Sequence, residues 1–182
     1  MIRRRVLLGA PSLAALAACG SEPVETIVIP PGVFQGAADP LFQAAENAFH
    51  LLVARPHALI DNPANAAYAL LMYEIATVEA SSGRMADRWP GRLLREARPN
   101  VRAAAAIASE ATAQAVVDAL WAATQALRRG DEVAVRKALM PPVAPDPVAT
   151  RERLQRFEVP RQVARPLREL RLALEREAGP PR

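Results

Sequence analysis

Few of the residues that could do chemistry in this chain stand at the spacing that chemistry requires. Glu74 falls between Leu70, Leu71 and Val78 on the inward face of an amphipathic stretch, where a carboxylate is costly unless paired or hydrogen-bonded. It could hold a ligand or a metal ion, or form a buried ion pair with an arginine such as Arg55 or Arg102. Tyr68 and Tyr73 lie on opposite sides of the same stretch; they could line a binding cleft with Glu74, or pack in the core. The only histidines, His50 and His57, flank Pro56, whereas zinc sites on helices want i, i+4 spacing or Glu-x-x-His. Ser81-Ser82-Gly83 reads as a helix end, there is no G-x-S-x-G elbow, and no glycine loop is built to cradle phosphate. On this reading no catalytic group, metal site or cofactor is expected.

The one cysteine has a different kind of context. Ahead of Cys19 stand Arg3, Arg4 and Arg5, then an apolar run from Val6 to Ala18 that ends in Leu16-Ala17-Ala18-Cys19 and continues into Gly20-Ser21. A basic start, a short apolar run and small residues at its end outline a signal peptide. The run is about 13 residues long, short of the roughly 20 that span a bilayer, and Gly9 and Pro11 interrupt it. Read without its cysteine, it is an ordinary secretory signal.

With the cysteine directly after the small residues, the segment resembles the lipobox of a bacterial lipoprotein precursor. The resemblance covers only about the first 21 residues and concerns processing. It implies a diacylglyceryl thioether on Cys19, cleavage between Ala18 and Cys19, and acylation of the new α-amine. The expected address is the cell envelope, facing the periplasm. Gly20-Ser21, directly after Cys19, hold no acidic residue of the kind that resembles an inner-membrane retention signal, which favours the outer membrane. Arg4-Arg5-Val6-Leu7-Leu8 is compatible with twin-arginine export as well as with the general route.

Charge narrows the partners. Of the 23 Lys and Arg, three lie in residues 1–18, which hold no acid; the other 20 face 19 Asp and Glu. A nucleic-acid partner, which wants a strongly basic domain, is therefore not expected. Residues 148–182 nevertheless carry nine arginines against five glutamates. Arg161, Arg165, Arg168 and Arg176 fall opposite a seam of Val163, Leu167, Leu170 and Leu174. This face could dock on a partner or simply be solvated.

The elements that must position these groups read as helices. Asp39-Pro40, Asn62-Pro63 and Asp146-Pro147 each place an N-cap before a proline at the first helical position. Helices are predicted from Pro40 to Ala54, Pro63 to Ser81, and Pro99 to Arg129, this last alanine-rich and central. A short amphipathic piece spans Arg92 to Arg98, another follows Asp131, and a broken helix runs from Val148 to Ala178. Gly20 to Gly36, rich in Pro and Gly, reads as an extended tether rather than packed structure; Glu25 to Ile29 could be a strand but has no strand to pair with. The expectation is an all-α bundle of about four main helices plus one or two short ones, a single domain over 37–178. Ahead of it lie a cleaved segment (1–18) and a lipidated tether (19–36). Functionally the pattern fits a membrane-anchored, non-catalytic interaction protein contacting an envelope partner through its C-terminal arginines. The alternative is an exported small-ligand binder with a pocket between helices.

Overall fold

Each of the three Asx-Pro signals starts a helix. In the computed structural model, which describes residues 24–36 and 38–179, the Asp39 carboxylate accepts from the Leu41 amide at 2.8 Å and opens α1 (Pro40–Phe49). Asn62 Oδ1 accepts from the Asn65 amide at 3.0 Å to open α2 (Pro63–Ser81). Asp146 Oδ1 takes the Val148 and Ala149 amides at 2.9 and 3.1 Å to open α6 (Pro147–Gln155). In every case the proline gives up an N–H that had no helical partner. After Phe49 the first helix widens into a π turn (His50–Ala54) and stops before Pro56.

The remaining helices are α3 (Trp89–Ala104), α4 (Ala113–Arg129), α5 (Glu132–Ala138) and α7 (Ala164–Ala178). All regular structure among the described residues is helical. The expected single helix from Pro99 to Arg129 is instead the end of α3, a reversal through Ala105–Thr112, and α4. Alanine has the highest helix propensity, so this stretch shows no stop signal. What turns it is the Arg102 side chain, whose Nη1 donates to the carbonyls of Ser109 at 2.9 Å and Ala111 at 2.6 Å. Ala106 adopts φ 55° within the reversal, and Thr112 Oγ1 caps the new helix through the Ala115 amide.

The central helix is α2, not the alanine-rich segment. From Ala66 to Ala80 nearly every side chain is buried on every side, and α2 packs on α1, α3, α4 and α6. A helix apolar all round belongs in the interior. Around it, α7 closes the bundle against α1 and α3, with Val163, Leu167 and Leu170 buried.

Residues 24–36 hold no helix or strand and turn at 31–34, but against the expectation of an unpacked tether they lie against the core. They form a strap laid along the bundle. The Val28 amide donates to Gln114 Oε1 at 2.6 Å, and Gln114 Nε2 donates back to the Val28 carbonyl at 3.0 Å. Ile27, Ile29 and Phe34 pack on the core, and Val33 is 6% exposed. Gly32, at φ 81°, lets the strap turn beside the Trp121 ring.

Candidate functional site

Glu74 sits on α2 where that helix meets α3, and it is 3% exposed. Its Oε1 accepts from Arg98 Nε at 2.9 Å, from Arg98 Nη2, and from Arg102 Nη2. Arg102, itself 4% exposed, is one of the two arginines expected beside it; Arg55 is exposed elsewhere. Arg98 was not foreseen. It reaches outward as well, donating from Nη1 to Glu25 Oε2 at 2.6 Å. Glu25 Oε1 then accepts the backbone amide of Ala113, the first residue of α4, at 3.1 Å. Two arginines and two glutamates thus join the strap, α2, α3 and the start of α4.

The electrostatics follow from this geometry. The hydrogen bond from Arg98 holds the Glu25 carboxyl below its usual range. Burial disfavours the charge on Arg98, but its hydrogen bonds to Glu25 and Glu74 outweigh that and raise it above an ordinary arginine.

The three sequence-predicted ligand residues do not converge. Tyr73 is fully buried and donates its hydroxyl to the Leu94 carbonyl at 2.9 Å. Burial, with Glu74 nearby, pushes its phenol well above the ordinary value. Tyr68 faces the other way, half-buried beneath Arg128, whose guanidinium carbon lies 5.4 Å from the ring centroid. There it lines a recess of about 340 Å³ with Phe34, Gln43, Trp121 and Arg128.

Other chemistry-bearing side chains are exposed or engaged with backbone. His50 and His57 are both exposed. Ser81 Oγ donates to the Gly91 carbonyl and Ser82 Oγ to that of Glu79. Among the described residues no three His, Cys, Asp or Glu gather as a metal site would, and no helix is long and apolar enough to cross a membrane. Cys19 and the cleavage position Ala18 lie outside the described residues.

The C-terminal arginines divide into two groups. Arg176 pairs with Asp87 at 3.4 Å, and Arg171, over the Phe49 ring, lies 3.1 Å from Glu46. Arg161, Arg165 and Arg168 are exposed, and among the described residues none has a carboxylate within 4.0 Å. Arg153 and Arg156 at the end of α6, which also have no carboxylate within 4.0 Å among the described residues, join them across the connector. Sequence reasoning missed these two because they lie on a different helix from the leucine seam. No protein-family model, no curated protein and no solved structure matches this chain.

Proposed function

We propose that this chain is a lipid-anchored protein of the bacterial cell envelope whose helical domain acts by contact with another envelope component rather than by catalysis. The observation that carries the reading is the closeness of Cys19 to the strap. From Glu25 onward the chain is bound to the bundle by Arg98, the Ala113 amide and Gln114. At about 3.3–3.6 Å per residue, the chain between Cys19 and Glu25 spans at most about 20 Å whatever path it takes. A lipid on Cys19 would therefore hold the domain against the bilayer surface. A contact role is supported by how the chemistry-bearing groups are used: Glu74 is taken up by two guanidiniums, and the helix-end serines by carbonyls.

The test is metabolic labelling of expressing cells with an alkyne fatty acid, comparing the wild-type chain with Cys19→Ala. The expected result is label in the wild type that vanishes in the variant, with the mass of the product showing loss of residues 1–18. An unlabelled wild-type product removes the anchor from the reading. A second reading, an exported binder of a small ligand, is favoured by the aromatic recess at Tyr68, whose size and mix of rings with a few polar groups suit a compact ligand. Native mass spectrometry of the purified chain checks it; apo protein alone, with no thermal shift across a metabolite panel, sinks it.

A further inference from the structure

We propose that the groove between α6 and the start of α7 is the docking site for an acidic polypeptide segment carrying apolar side chains. The inference deepens the interaction reading above by naming the partner's chemistry. Two recesses adjoin at Arg161. One, of about 750 Å³, is lined by Arg153, Arg156 and Arg161, with Glu152 and Glu158. The other, of about 380 Å³, lies between α3 and α7; Arg161 and Arg165 edge it, over Leu93, Ala97 and Pro166, and its one carboxylate, Glu96, is paired with Arg92 at 2.8 Å. Arg168, three residues beyond Arg165, extends the row along the same side of α7.

Elsewhere Arg84, Arg92, Arg98, Arg102, Arg151, Arg171 and Arg176 each have a carboxylate partner. Among the described residues Arg55, Arg88, Arg95, Arg128, Arg129 and Arg136 also lack a carboxylate within 4.0 Å; what sets this face apart is that several such guanidiniums gather around two adjoining recesses. Along the groove four guanidiniums share a concave surface, and neither Glu152 nor Glu158 lies within 4.0 Å of one. A guanidinium offers a planar fork of donors matched to a carboxylate, and a row of them over an apolar floor selects alternating acidic and apolar side chains. A membrane surface fits less well. It is flat where the groove is concave, and no aromatic side chain lines either recess to anchor at an interface.

The experiment titrates the purified full chain against a short fluorescein-labelled peptide of alternating glutamate and leucine, read by anisotropy. Arg156→Glu combined with Arg161→Glu is expected to weaken binding at least about tenfold, about 1.4 kcal/mol. Reversal of Arg136 and Lys137 on α5, also exposed and, among the described residues, without a carboxylate within 4.0 Å, is expected to change it less than about twofold. Circular dichroism reports whether each variant keeps its helices, and Arg156→Gln with Arg161→Gln gives a milder pair should the reversal unfold. Unchanged affinity in the groove variants overturns the proposal, and so does an equal loss from the α5 reversal. Equal affinity for a peptide with glycine in place of leucine also overturns it, because the apolar floor would then contribute nothing. The titration does not depend on lipidation, so a negative result leaves the Cys19 labelling result standing, and the converse holds.

Discussion

The Arg98 guanidinium meets the Glu25 carboxylate in two hydrogen bonds, 2.6 and 3.3 Å long, across 73 residues of chain. The contact ties the segment that follows Cys19 to the middle of the bundle. Because Arg98 also donates to Glu74, the strap's docking and the core's charge balance share one side chain.

Glu25→Gln is accordingly expected to loosen the strap at its Glu25 end while the bundle stays folded. Glu25 is partly exposed, so the loss of global stability should stay within about 1 kcal/mol. The amide signals of Ala113, which bonds to Glu25, and of Val28, which bonds to Gln114, should shift in the variant while those of α2 hold still. Acid should do the same to the wild type. The folded carboxyl sits below 4.5, so the free strap binds more protons as pH falls. Its stabilisation is complete above pH 4.5 and lost as pH drops through the lowered value. Amide spectra of the two chains that fail to converge in acid would refute the latch.

Glu74→Ala leaves Arg102, buried and still charged, without its carboxylate. Removing one member of a buried pair costs about 3–5 kcal/mol, so a urea titration at neutral pH should show a loss of that order. Removing both charges with Glu74→Leu and Arg102→Met is not expected to restore stability fully. The carbonyls of Ser109 and Ala111 would then lose the donor that shapes the reversal, at about 1–3 kcal/mol for the buried Ala111 carbonyl left unsatisfied. A single Glu74→Ala loss under about 1 kcal/mol would show the cluster to be solvated.

The contrast between those two sites marks what was legible in the sequence. The three Asx-Pro caps could be read because an N-cap and its proline act within four residues. Glu74 could be read as buried because its neighbours at helical spacing are apolar. Its second partner could not, since Arg98 falls in a segment that reads as a separate amphipathic piece, and nothing local says which face of α3 meets α2. The break between α3 and α4 was hidden for a related reason. A run such as Ala103-Ala104-Ala105-Ala106 carries no turn residue, and the reversal is made by a side chain reaching back to carbonyls seven and nine residues on. Glu25 was hidden most completely, because an extended Pro- and Gly-bearing segment looks the same whether or not a distant arginine holds it.

Gly91→Ala should destabilise the protein, opposite in sign to the usual effect of alanine for glycine in a helix, a gain of about 1 kcal/mol. Here α3 crosses α2 closely, and a Cβ at position 91 would lie 2.5 Å from the Ala80 carbonyl oxygen and 2.8 Å from its carbon. Both are backbone atoms, so the helices must separate. Overpacking of this kind costs about 1–3 kcal/mol. Thermal denaturation decides it, and a Tm equal to or above wild type would show that the crossing can relax.

Both tyrosines should stay protonated in the folded chain at pH values where free tyrosine ionises. Burial raises Tyr73 most, with Glu74 adding to it; burial also raises Tyr68, partly offset by Arg128. The folded pKa lies above the unfolded one, so the stabilisation is complete below about pH 10 and is lost as pH rises toward the folded value. Alkali should therefore unfold the chain, and ultraviolet phenolate absorbance should appear together with the loss of helical circular dichroism. Tyr73→Phe removes the bond to the Leu94 carbonyl at a cost of about 1 kcal/mol at neutral pH, and it also removes that residue's share of the alkaline loss. Its stability should thus approach that of the wild type as pH climbs past 10. Phenolate absorbance rising near pH 10 while the helical signal holds would place both rings in water, contrary to their packing against α2's neighbours.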